Sequence, residues 1–376
     1  MRVAIVHDWL TNMGGAEKVV ELMHHLFPDA PIYTLIYDRS NMPDSFLNMD
    51  IRTSYLQRFP LAKSKHQWML PLMPRAIESL DLRDYDLVIS SSTSCAKGVL
   101  TRADCCHICY CNTPMRYAWD FYQDYLAGKP WVIRKFISRQ MHWIRQWDRL
   151  SADRVDYFIA NSGNVKNRIY KHYRREAEVI YPPVDTDYFA PGDAGSGNYF
   201  LCAGRLVGYK RIDLAVQVCS DMHLPLVVAG DGGELKRLRA MAGPTVDFRG
   251  RVSDAELLKL YQNCRAFIFP GEEDFGITPL EAQACGRPVI AYGKGGALET
   301  VAVEQTGVFF EDQDVDSLRL ALATFIECES TFDSELIRQQ ALKFSRQRFL
   351  EEFRTTINRC YDDFQARISG DRVKHI

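Results

Sequence analysis

Arg2-Val3-Ala4-Ile5-Val6 is a short apolar run, Gly14-Gly15 breaks the pattern after it, and 16–27 has helical periodicity. A strand, a glycine turn and a helix in that order open an α/β unit. Outward from this unit, further buried runs stand at 86–90, 106–110 and 157–160, with helical segments between most of them. That alternation predicts a largely parallel sheet. Residues 128–149, rich in Trp, Ile and Arg, fall between the last two runs. Pro and Gly then crowd into Tyr181-Pro182-Pro183-Val184-Asp185 and again into 191–197, which marks a linker. A second α/β series follows, with strands expected at 199–203, 226–229, 246–249, 266–269 and 288–291. Helices are expected at 211–220, 234–242, 254–263 and 279–285, and two more, 315–327 and 333–368, close the chain. The predicted architecture is α/β, two doubly wound domains across a cleft with ligands at the carboxyl ends of the strands.

The 376 residues are 47% hydrophobic and 25% charged, enough for two domains with full cores and too apolar for disorder. The net charge of -2 lacks the basic excess of a nucleic-acid binder. It is unevenly spread: residues 1–185 hold 24 Lys and Arg against 20 Asp and Glu, and the remainder is acidic. Two modules with different partners fit that asymmetry. The first apolar run is too short for a signal peptide, and no stretch reaches the ~18 apolar residues that span a bilayer. With eleven scattered cysteines, these features predict a cytoplasmic, thiol-reduced protein. The cluster Cys105-Cys106-His107-Ile108-Cys109-Tyr110-Cys111 holds a single Cys-x-x-Cys, so a buried strand explains it better than zinc.

Three features carry candidate chemistry. Gly14-Gly15 puts a helix amino terminus after the first strand, where N–H groups suit an anion or a plain tight turn. No Gly-x-Gly-x-x-Gly is present, which argues against a dinucleotide oxidoreductase. Next, Gly204-Arg205-Leu206-Val207-Gly208-Tyr209-Lys210-Arg211 sets three basic residues at the mouth of a helix, against its macrodipole. A bound diphosphate would offset that repulsion; a solvated loop is the plainer alternative. Finally, Thr278, Pro279 and Glu281 have the spacing of a capping box, a purely structural role for Glu281. That role leaves Glu273 and Gly276 unexplained. The N–H groups of Phe275, Gly276 and Ile277 could hold a phosphate while the carboxylates accept hydroxyls. A polyhydroxylated, phosphorylated ligand would use these groups together, and the turn Gly293-Lys294-Gly295-Gly296 belongs on the same edge.

The spacing Glu273-x7-Glu281 resembles that of the retaining GT-B glycosyltransferases of family 4. Gly14-Gly15-Ala16-Glu17, Tyr181-Pro182-Pro183-Val184-Asp185, Gly204-Arg205-x4-Lys210, Gly230-Asp231-Gly232 and Gly250-Arg251-Val252-Ser253 extend the resemblance over most of the chain. Through His7-Asp8-Trp9 and 113–119 it is nearest to the bacterial polysaccharide and O-antigen mannosyltransferases. The resemblance implies two Rossmann-like domains facing a central cleft: an acceptor-binding domain over 1–185 and a nucleotide-sugar-binding domain over 186–350. A helix over 351–376 would return to the first. By the same resemblance Arg205 and Lys210 hold the donor diphosphate and Gly15, beside Gly14, faces it. Glu273 holds hydroxyls of the transferred sugar, Glu281 the ribose, and the backbone near Arg251 and Val252 meets the base. The donor, GDP-mannose, is a substrate; no cofactor and no metal is implied, which fits a chain offering Arg and Lys rather than Asp-x-Asp. Diphosphate would leave through an oxocarbenium-like state, and the acceptor hydroxyl would attack from the same face and lose its proton to the departing phosphate.

One position departs from the pattern. The segment Cys109 to Tyr117 resembles one in the polysaccharide mannosyltransferases, and that resemblance implies His where Asn112 stands; Asn can hydrogen-bond a sugar hydroxyl but carries no positive charge. His107 reads as a packed core residue, and Arg116 and Tyr117 are acceptor-side candidates. Acceptors in this group are lipid-diphosphate-linked sugars used for exopolysaccharide, O-antigen and lipopolysaccharide, which implies a peripheral place at the inner face of the cytoplasmic membrane. Residues 129–149 carry Lys129, Arg134, Lys135, Arg139, Arg145 and Arg149 against Asp148 alone, with Trp131, Phe136, Trp143 and Trp147 interleaved. That suits an anionic membrane surface as well as it suits a core-packing helix with a solvated basic face. The alternatives are a UDP-sugar-dependent transferase of the same fold, a nucleotide-sugar 2-epimerase, and a non-catalytic nucleotide-sugar-binding protein. Acceptor-dependent release of nucleoside diphosphate separates transfer from the last two.

Overall fold

Short apolar runs alternating with helices can bury both faces only in parallel sheets, and two such sheets form. In the computed structural model the first holds β1 (Val3–His7), β2 (Ile32–Thr34), β3 (Ile51–Thr53), β4 (Leu87–Ser92), β5 (Cys106–Cys111), β6 (Tyr157–Ala160) and β7 (Ala177–Val179), in the order β3-β2-β1-β4-β5-β6-β7. The second holds β8 (Tyr199–Ala203), β9 (Leu226–Ala229), β10 (Val246–Gly250), β11 (Cys264–Phe269), β12 (Val289–Tyr292) and β13 (Gly307–Phe310), in the order β10-β9-β8-β11-β12-β13. This is the 3-2-1-4-5-6 order of dinucleotide-binding sheets. Residues 1–192 and 197–373 are described, without the side chains of 371–373; 193–196, within the Pro/Gly-rich linker, and 374–376 lie outside the described residues. The chain divides into two compact units, Met1–Tyr181 with Leu350–Ile376 and Pro182–Phe349.

The structure corrects the expected elements in two ways. The strands β2, β3, β7 and β13 have three or four residues each and escape a periodicity reading. The helix expected over 333–368 is two helices, Ser334–Leu342 and Arg346–Val373. The break falls where Phe344 turns inward against Phe275, ring centroids 5.7 Å apart, while its carbonyl accepts the Val184 N–H at 2.8 Å.

β4 and β5 are buried along their whole length, so their Ser and Cys side chains act as small core fillers. Burial pushes the Cys109 thiol up to about 12, and no group of three metal-ligating side chains gathers among the described residues. The final helix joins the first unit through Phe353, whose ring lies 6.1 Å from Tyr110, and through Arg359, paired with Glu178.

The helix Trp131–Ser151 is exposed at its start and packs into the core along its carboxy-terminal half. Met141, Ile144, Asp148 and Ser151 are buried in the carboxy-terminal half, where Asp148 pairs with the fully buried Lys97 and accepts Trp119 Nε1 and Tyr173 OH at 2.7 and 2.9 Å. Residues 131–136 are exposed on every side. No helix among the described residues is long and apolar enough to cross a membrane.

Candidate functional site

In the second unit the strand order reverses between β8 and β11, and loops leaving two such strands form a crevice at their carboxyl ends. The loop after β8 carries Arg205 and Lys210; the loop after β11 carries Glu273. Lys210 Nζ and Glu273 Oε1 stand 2.8 Å apart. Two close backbone approaches make this pairing possible. A Cβ on Gly271 would come 2.8 Å from Lys210 Cα, and one on Gly296 would come 2.2 Å from Phe275 Cα. Gly296 N–H also donates to the Glu273 carbonyl at 2.9 Å, so the second glycine turn braces the Glu273 loop. Burial lowers the Lys210 pKa, but the Glu273 carboxylate raises it by more, and the ammonium stays charged well into the alkaline range. Of the three cations in the β8 loop, Arg205 is exposed, whereas Arg211 is taken up by Asp213 and the Gln313 carbonyl at 3.2 and 3.1 Å.

The helix Ile277–Ala284 begins at Gly276, which is its N-cap at φ 87. This overturns the capping box. Thr278 lies inside the first turn with its hydroxyl buried and unpartnered, and Glu281 lies mid-helix, 5% exposed, accepting the Tyr261 hydroxyl at 3.1 Å. The first-turn N–H groups, which no intrahelical carbonyl can reach, follow Glu273 in the same loop-to-helix junction. Arg251, exposed, and Val252, half-buried, follow β10; Ser253 caps the next helix by accepting Glu256 N–H at 3.3 Å.

The first unit carries the remaining candidates. Gly14 is the N-cap of the helix Gly15–Leu26, and Gly15 is its first residue. Asn112 follows β5 and donates to Ser91 Oγ at 3.0 Å. The Tyr117 hydroxyl meets Ser94 Oγ at 2.7 Å, which turns it inward, and Arg116 stacks over Phe121 at 4.2 Å. His107 is fully buried with Nε2 2.9 Å from Ser90 Oγ, and burial pushes its pKa down to about 4. Sequence reasoning missed Asp8. Its buried carboxylate accepts four backbone N–H groups beyond β4: Thr93 and Ser94 at 2.6 and 2.8 Å, Cys95 and Ala96 at 2.6 and 2.7 Å. An acid directly after a buried strand was the available signal. Beside it, His7 lies 3.1 Å from the Ser91 carbonyl and 3.5 Å from Glu17; burial lowers its pKa, and Glu17 brings the net shift upward.

Two family models match the chain in tandem: Glycosyltransferase Family 4 over residues 13–188 and Glycosyl transferases group 1 over 185–343. The chain is 37% identical over 349 residues to a GDP-mannose-dependent alpha-mannosyltransferase of Mycolicibacterium smegmatis, covering 86% of this chain and 87% of that protein. It is 23% identical to an uncharacterized glycosyltransferase of Methanocaldococcus jannaschii, where the match spans 58% of this chain and 63% of that one. Among solved structures, the Anabaena protein HepE in complex with UDP-glucose superposes with a TM-score of 0.71 at 18% identity, over 95% of this chain and all of that one. That likeness establishes the GT-B fold.

Proposed function

The chain belongs to the group 1 glycosyltransferases, and on that footing we propose that it is a retaining, metal-independent α-mannosyltransferase using GDP-mannose. The observation that carries this reading is the Lys210–Glu273 pair beside exposed Arg205 at the switch point of the second sheet. Arg205 and Lys210 neutralise the donor diphosphate, the first-turn N–H groups of Gly276 and Ile277 add to that stabilisation, and Glu273 orients hydroxyls of the sugar. Glu281, held by Tyr261, receives the ribose; the backbone at Arg251 and Val252 meets the base. The anomeric C–O bond breaks as charge collects on the departing diphosphate, which takes the proton of the attacking acceptor hydroxyl. In the first unit Asn112 supports a sugar hydroxyl, Gly14 and Gly15 serve the donor phosphates, and Arg116 and Tyr117 stand near the acceptor. The acceptor is a lipid-diphosphate-linked sugar of cell-surface polysaccharide synthesis, met at an anionic membrane surface to which the exposed start of Trp131–Ser151 binds.

The 37% identity to a GDP-mannose-dependent enzyme supports the donor assignment, and the cationic pair supports independence from metal. Melting in the presence of GDP-, UDP-, ADP- and dTDP-sugars tests it, because a ligand at 100 times its Kd adds about 2.7 kcal/mol. Stabilisation by GDP-mannose alone, followed by transfer undiminished by a chelator, is the expected result. A preference for UDP-sugars would overturn the donor, and indifference to every nucleotide the catalytic reading.

A further inference from the structure

Among the described residues every exposed Trp and Phe, namely Phe59, Trp68, Trp131, Phe136 and Trp143, lies in one of two stretches of the first unit. Both stretches lack acids entirely. Between Asp124 and Asp148 runs most of the helix already described; between Asp50 and Glu78 runs a second stretch with Arg52, Arg58, Lys63, Lys65 and Arg75 as its charges. This second stretch is a chain of short turns and helices, Tyr55–Arg58, Ala62–Lys65 and His66–Leu72. Leu56, Ala62, Met73 and Ile77 anchor it in the same apolar cluster that takes Met141 and Ile144. Met69 and Leu70 also pack against it, whereas three large apolar side chains stand out in solvent: Trp68 is 75% exposed, Leu61 60% and Phe59 45%. Lys65 Nζ lies 4.7 Å from the Trp68 ring centroid, a cation and an indole presented together.

Exposing this much apolar area in one segment costs solvation free energy unless something covers it. The absence of any carboxylate over 51–77 identifies what does: a surface of negative charge with an apolar layer beneath it. Tryptophan and lysine suit the headgroup level of a bilayer, where the ring is half wetted and the ammonium meets phosphate. We infer that residues 51–77 are a second docking element for an anionic lipid surface, inserting Leu61 and Trp68 while Lys65 lies among the headgroups; Lys63 is 3.6 Å from Asp38 Oδ1 and is left out of the contact. This rests on the reading that the enzyme works at such a surface, and adds an anchor separate from the helix Trp131–Ser151. Two signals make stable anchoring where one gives only marginal binding.

The test is co-sedimentation of the full chain with vesicles of phosphatidylcholine alone or mixed with phosphatidylglycerol. The wild type is expected on the mixed vesicles only, and Leu61→Ser/Trp68→Ser, at exposed positions that leave the fold intact, should weaken its partition by about tenfold or more. Lys65→Glu should also weaken it and blunt the sensitivity to salt. If Trp131→Ser/Phe136→Ser detaches the protein while the Leu61/Trp68 variant binds as the wild type does, the second element is refuted and the membrane reading survives. A wild type that binds neither vesicle refutes both. A wild-type dimer in sedimentation that Leu61→Ser/Trp68→Ser dissociates would assign the surface to a second copy of the chain instead.

Discussion

At the switch point of the first sheet, between β1 and β4, the Asp8 carboxylate occupies the N–H groups of Thr93 to Ala96. At the switch point of the second, between β8 and β11, Lys210 pairs with Glu273 while Arg205 stays exposed in the same loop as Lys210. The topology is shared and the electrostatics are opposite. In the first unit the chain supplies its own anion, and four charge-assisted hydrogen bonds take up the amides beyond β4. In the second the cations Arg205 and Lys210 stay beside the crevice, where the proposed donor diphosphate would meet them. A fold makes the same niche twice, and the chain leaves a different sign of charge in each.

The largest expected effect tests the second niche. Lys210→Ala should lower kcat/KM by about 10³-fold with the melting temperature little changed, since the position serves charge rather than packing. An active Lys210→Ala enzyme would end the diphosphate assignment. Glu273→Gln sharpens the same point through pH. It leaves the burial of Lys210 unopposed, so the ammonium deprotonates at lower pH, and the alkaline limb of the pH–rate profile should move downward relative to wild type. At the first niche the outcome should be structural. Asp8→Ala strands four buried N–H groups and should cost about 3 kcal/mol in denaturant unfolding. Unchanged stability together with lost nucleotide binding would mean that both niches hold ligand, and the contrast would collapse.

Two smaller effects refine the picture. His107 takes its proton less readily in the native protein than in the unfolded chain, so stability falls as pH drops from about 6.5 towards 4. His107→Gln should therefore be more stable than wild type by up to about 3 kcal/mol at pH 4, relative to their difference at pH 7. Parallel acid-unfolding curves would rule this out. In the second unit Tyr261→Phe removes one hydrogen bond from Glu281, at a cost of about 1 kcal/mol. It should raise KM for the donor while leaving kcat nearly intact, and an unaltered KM would detach Glu281 from donor binding.

Much of the second unit was legible in the sequence. Tyr199–Ala203, Leu226–Ala229 and the helix Asp254–Asn263 fall on their expected residues. Each is bounded by Gly, Pro or Ser, and local turn chemistry marks such ends without help from the rest of the fold. The strands β2, β3, β7 and β13 were not legible, because three or four residues leave no pattern. Glu281 shows the same limit. Its spacing from Thr278 satisfies a capping rule, yet the left-handed Gly276 starts the helix two residues earlier and leaves Glu281 to Tyr261.

The sequence by itself determined the class of the fold, its two-part organisation and the residue types able to hold a phosphorylated sugar, because these depend on periodicity, turns and local charge. Only the tertiary structure decided how the ionisable groups are spent. Glu273 meets Lys210 across 63 positions of chain, Asp8 reaches amides 85 to 88 residues away, and Asp148 is matched to Lys97. The physical reason is that pairing in a buried crevice depends on which strands lie side by side, and strand order is written in no local stretch of the chain.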